Sequence, residues 1–136
     1  MKKILVLFSL VSLNSFAIQH YSCFPKDAWS TDRVVISLEK DHQQGTLFLS
    51  SGIQDDGTHD HSPVMPMSFI QVENKTNIYF AENEVAEFKV YLPQSSFDQN
   101  LDDVEIKLLM KNQFSEVTQN LNCYTRMYTD PTLVFQ

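Results

Sequence analysis

Val104, Ile106, Leu108 and Met110 are apolar at every second position without a miss, and Glu105 and Lys107 stand between them. A strand turns successive side chains to opposite faces, so this spacing describes a half-buried β-strand. The pattern recurs. In Arg33–Glu39, Val34, Ile36 and Leu38 oppose Arg33, Ser37 and Glu39. In Val85–Leu92, Ala86, Phe88, Val90 and Leu92 oppose Glu87, Lys89 and Tyr91. Shorter candidates are His20–Phe24, Thr46–Ser50, Met67–Glu73 and Thr76–Ala81, and Ser115–Arg126 puts Val117, Leu121 and Cys123 on one face. The expected fold is all-β, an antiparallel meander of about eight strands.

The joints agree with that order. Asn74-Lys75 stands between two strands, and Asn tolerates the positive φ that a two-residue hairpin needs. Glu82-Asn83 and Lys111-Asn112 have the same character, and Asp41 to Gly45 separates the second and third strands. With three glycines in the chain, most turns must rely on Asn and Asp. Two longer loops are expected at Ser51–Pro66 and Pro93–Asp102.

A meander of this length tends to close, because closure removes exposed strand edges. Closure sets the first strand beside the last. The two cysteines of the chain, Cys23 and Cys123, lie one in each of those strands. Strand order and cysteine placement therefore predict the same closed barrel, seamed by a Cys23–Cys123 disulfide. A bond closing a loop of about 100 residues can stabilise by up to about 4–5 kcal/mol through chain entropy. The alternative fold is an open sheet with one covering helix. Leu101, Val104 and Leu108 also fit a helical stripe, and Asp98 could cap it.

The first 17 residues read as a secretory signal. Lys2 and Lys3 form a basic start, Ile4–Leu13 is an apolar run, and Ser15 and Ala17 are the small residues of a cleavage site. The run is about half the roughly 20 residues that a membrane span needs. Residues 18–136 then form a single exported β-domain, secreted or periplasmic, where a disulfide is at home. An outer-membrane barrel is not expected. Its strands would carry apolar residues outward, and most strands here look too short to span. Removing Lys2 and Lys3 leaves eight basic against 17 acidic residues, a formal charge of −9. Such a chain repels phosphate backbones and shows no basic patch, so nucleic acid is not an expected partner, whereas a cationic protein or a metal cation is favoured.

The stretch Asp55–Met67 is the richest in donors. His59 and His61 stand two apart, a spacing that lets both imidazoles chelate one ion from an extended segment. Met65 and Met67 repeat the spacing, and thioether selects copper(I) while imidazole suits copper and zinc. The competing account is a polar loop in which Met67 begins a core face. Asp55, Asp56 and Asp60 offer oxygens but lack the order of an EF-hand, and they serve equally as contacts for a basic partner. Trp29, between the first two strands, is either a binding anchor or a plug in the end of the barrel. Tyr124, Tyr128 and Phe135 are further candidates to cover that end.

There is no G-x-S-x-G elbow, H-E-x-x-H helix or phosphate-cradling glycine loop. His20, His42, His59 and His61 stand in no recognisable catalytic context. The expected function is therefore non-catalytic binding, with a basic protein as partner. The alternatives are copper or zinc binding through His59, His61, Met65 and Met67, and carriage of a small apolar ligand inside the barrel.

Overall fold

The structure is a computed structural model, which describes residues 18–26, 32–53, 59–61 and 63–128. The described residues form nine strands: β1 (Ile18–Pro25), β2 (Arg33–Glu39), β3 (Gln44–Ile53), β4 (His59–His61), β5 (Met65–Glu73), β6 (Thr76–Glu82), β7 (Glu87–Pro93), β8 (Val104–Lys111) and β9 (Glu116–Tyr128). Eight of them, all but β4, pair antiparallel with their neighbours in chain order. β9 then pairs with β1 and the barrel closes.

The alternation seen in the sequence sets the inside of the barrel. Val34, Ile36 and Leu38 of β2, Phe88, Val90 and Leu92 of β7, and Val104, Ile106 and Leu108 of β8 are buried in one continuous core cluster. Tyr21, Leu47, Met67, Tyr79 and Leu121 join them, each fully buried. Glu87, Lys89, Glu105 and Lys107 point to solvent between them. Val117 keeps the inward parity of Leu121 and Cys123 but is 44% exposed, because it lies at the mouth of the barrel beside Met110.

Closure brings Cys23 directly opposite Cys123 across β1 and β9, and the two are disulfide-bonded. Both are buried, in a row that runs Val34–Cys23–Cys123–Val104 through the wall. The open-sheet alternative does not form. Val104 and Leu108 belong to β8, which is paired on both sides. Among the described residues, helix is confined to the 3-10 turn Gln94–Ser96.

The β5–β6 hairpin turns on Asn74 and Lys75, with φ of 52° and 59°. Two consecutive left-handed residues are the mark of a type I′ turn, whose twist matches that of the strands. Gly45 answers a different need. A Cβ there would lie 2.3 Å from the carbonyl oxygen of Ser37 on β2. The loop expected over Ser51–Pro66 contains more structure than the sequence suggested. β3 continues to Ile53 and pairs with the short β4 through a register shift. No described helix is long and apolar enough to cross a membrane.

Candidate functional site

An up-and-down barrel sends alternate connections to opposite ends. One end receives the β2–β3 and β5–β6 turns and the β7–β8 connection. That end is sealed. The β7–β8 connection crosses it, with Phe97 and Leu101 packed on the core. Polar side chains from the barrel wall hold the crossing. Gln19 donates to the Ser96 carbonyl at 2.6 Å and accepts from the Asp98 N–H at 3.1 Å. Thr125 donates to the Gln99 carbonyl at 2.6 Å and accepts from the Leu101 N–H at 3.0 Å. The Tyr21 hydroxyl lies 2.6 Å from Ser96 Oγ, and Tyr79 donates to the His42 carbonyl at 2.7 Å. Burial pushes the hydroxyl pKa of both tyrosines up, so they stay neutral donors. Every described buried side-chain nitrogen and oxygen has a partner, so this end is a finished structural seal.

Tyr124 and Tyr128 take no part in that seal. Tyr124 is exposed on the outer wall below the Arg126 guanidinium, and Tyr128 meets the His20 ring edge-on at 5.5 Å. Phe135 lies outside the described residues.

The other end receives the β1–β2 connection, the β3–β4–β5 connection, and the β6–β7 and β8–β9 loops. The sequence-predicted residues divide here. Trp29, Asp55 and Asp56 lie outside the described residues. His59, Asp60 and His61 form β4, paired with β3 through His61–Ser50 and His59–Ile53.

Met65 and Met67 are core residues, 2% and 0% exposed, on the inner face of β5. The inward parity of the strand removes both thioethers from the surface. A site joining them to His59 and His61 therefore lacks the sulfur half that pointed to copper(I). Among the described residues no group of three or more His, Cys, Asp or Glu side chains converges on a metal position.

Sequence reasoning missed two residues at this end. The β6–β7 and β8–β9 loops are built alike. Asn83 Oδ1 accepts the Val85 and Ala86 N–H groups, each at 2.9 Å, and the Asn83 N–H donates to the Ala86 carbonyl. Asn112 Oδ1 accepts the Phe114 and Ser115 N–H groups, each at 2.8 Å, and the Asn112 N–H donates to the Ser115 carbonyl. Each loop is thus a tight turn closed by one Asn side chain. Each thrusts an apolar side chain into water: Val85 is 76% exposed and Phe114 86% exposed. The signal was an apolar residue inside an otherwise polar turn. Val85 instead reads as the first residue of a strand, because it adjoins the alternation of β7.

The pairing of Glu87 with Lys111 sets the two loops side by side, with a shallow groove of about 350 Å³ between them. The strand ends beneath carry a charged row. Glu82, Glu87, Lys111 and Glu116 are successive cross-strand neighbours, all exposed, and Glu84 adds a further carboxylate from the loop. Four carboxylates against one ammonium give the rim a negative field.

Compared with known protein families, characterised proteins and solved structures, the chain has no significant match.

Proposed function

We propose that this chain is an exported, non-catalytic binding protein that engages a basic protein. The observation carrying the reading is the contrast between the ends of the barrel. The interior is packed with side chains and one end is sealed by Gln94–Asp103, while the other end presents the β6–β7 and β8–β9 loops above a carboxylate-rich row. A filled interior favours binding on the outside over carriage of an apolar ligand inside. The acidic rim and the formal charge of −9 on residues 18–136 favour a cationic surface as the target. The leader-like first 17 residues and the cystine fit an oxidising compartment.

The test is retrieval of partners from the exported proteins of the source organism on the immobilised, disulfide-bonded chain. Salt would be stepped from about 50 mM to about 300 mM, a range over which exposed charge pairs are screened. Retained proteins should be basic and should elute with salt. Acidic partners, or retention indifferent to salt, would overturn the reading.

A further inference from the structure

We infer that the twin loops carrying Val85 and Phe114 are the docking surface, and that their occupant is a protein segment bearing an apolar side chain flanked by Lys or Arg. The inference rests on the basic-partner reading and assigns it a place. Large apolar side chains exposed this far are ordinary when scattered singly. These two are the most exposed large hydrophobics among the described residues, and they stand on adjacent loops, where both line one shallow depression with Glu84, Asn112 and Gln113. The Asn83 and Asn112 turns fix both loops, so little ordering entropy is lost when they are covered.

The charge around the pair selects the occupant. Glu82, Glu87 and Glu116 share its cross-strand row with Lys111, and Glu84 adds a carboxylate from the loop, so carboxylates outnumber the ammonium beside it. An exposed Phe beside an exposed Val also resembles a membrane wedge, but bilayer surfaces that carry charge are anionic, and these carboxylates repel them. A cationic segment meets attraction at the rim and an apolar contact at the centre, the arrangement of a binding hot spot.

The test uses the full disulfide-bonded domain and a random-peptide library displayed on phage. Enriched peptides would be measured against the parent, a V85S/F114S variant, and an E82Q/E84Q/E87Q/E116Q variant, with an I70S/V72S variant as control. Ile70 and Val72 are also exposed, at 47% and 53%, but lie on β5 away from these loops. All the substituted side chains are exposed, so retention of the parent melting temperature verifies the fold. Enriched peptides should pair Lys or Arg with an apolar residue. Their affinity should fall about tenfold or more in the first two variants and stay unchanged in the control. Basic peptides that bind all variants alike would leave a basic partner standing but overturn this surface. Neutral or acidic peptides, or no enrichment, would overturn both. Co-sedimentation of the parent with phosphatidylglycerol vesicles, lost in V85S/F114S, would replace the protein occupant with a membrane.

Discussion

His42 and Asp98 are 56 residues apart in the chain, yet they share a backbone conformation and a hydrogen bond. Each has φ of 59°, and His42 Nε2 lies 3.2 Å from Asp98 Oδ1. His42 closes the β2–β3 turn, and Asp98 follows the 3-10 turn in the segment that seals the barrel. The His42 ring also stacks on Phe97 at 4.4 Å. Left-handed φ costs a residue with a Cβ roughly 1 kcal/mol, and Asp less than most. The contact between the two side chains offsets part of that cost. Asp98→Ala keeps the left-handed backbone and loses the contact, whereas Asp98→Gly loses the contact but relieves the backbone. The glycine variant should therefore be the more stable of the two by about 1 kcal/mol in urea unfolding. Equal stability would mean that the backbone at Asp98 is unstrained.

The cystine joins strands that the ladder already holds in register. Its contribution therefore comes mainly through the unfolded chain, which it closes into a loop of 100 residues. Cys23→Ala with Cys123→Ala should retain the strand content seen by circular dichroism. It should lose up to about 4–5 kcal/mol of stability, part of it from the core volume removed at two buried positions. Loss of strand content under native conditions would show that the barrel cannot close without the bond.

Asn83 and Asn112 each satisfy two backbone N–H groups that no strand can reach. Asn83→Ala or Asn112→Ala removes both acceptors from a partly exposed turn, at a cost of about 1 kcal/mol each. The larger change should be dynamic. Amide exchange at Val85 and Ala86, or at Phe114 and Ser115, should accelerate in the matching variant while the strand amides keep their protection. Unchanged exchange would mean that the turns hold their shape without the Asn side chains.

The strands were legible in the sequence because one face of each is buried and the other wet, so the alternation reports the inside directly. Cys23 and Cys123 then supplied the long-range information that no local pattern carries, namely which strands meet at the seam. The seal was illegible for the opposite reason. Gln19, Asn77, Ser96 and Thr125 are buried and polar, and composition alone marks such residues as surface. Their burial depends on a segment that arrives from elsewhere in the chain. Met65 and Met67 read equally as ligands or as core, because a thioether serves both, and only the parity of β5 decides. Val85 and Phe114 were hidden because an exposed apolar residue next to a strand looks like part of the strand.

Gly45 gives a sharp test of the packing between β2 and β3. An added Cβ would meet the Ser37 carbonyl oxygen at 2.3 Å and Met67 Cε at 3.0 Å. The methionine end can swing aside, but the carbonyl belongs to a paired strand. Gly45→Ala must therefore displace backbone, and should cost about 1–3 kcal/mol despite the entropy it removes from the unfolded chain. The deficit should appear in the unfolding midpoint. A neutral or stabilising Gly45→Ala would mean that the two strands part more easily than their pairing implies.

His20 should make the barrel sensitive to mild acid. Its ring lies against Tyr128 and 3.0 Å from Ser37 Oγ, and its cross-strand neighbours are Ser37 and Arg126. Burial lowers its pKa below the ordinary 6.5. The unfolded chain therefore takes up a proton near pH 6.5 that the folded wall still refuses. Stability from the neutral ring is fully present above that pH. It declines as pH falls through 6.5 and stops declining below the folded-state pKa. His20→Gln keeps a polar side chain but does not titrate, so its unfolding free energy should lack this part of the slope between pH 7 and 5. An imidazole titration by NMR checks the premise directly: a folded-state midpoint at 6.5 would abolish the effect, and one above it would reverse the sign.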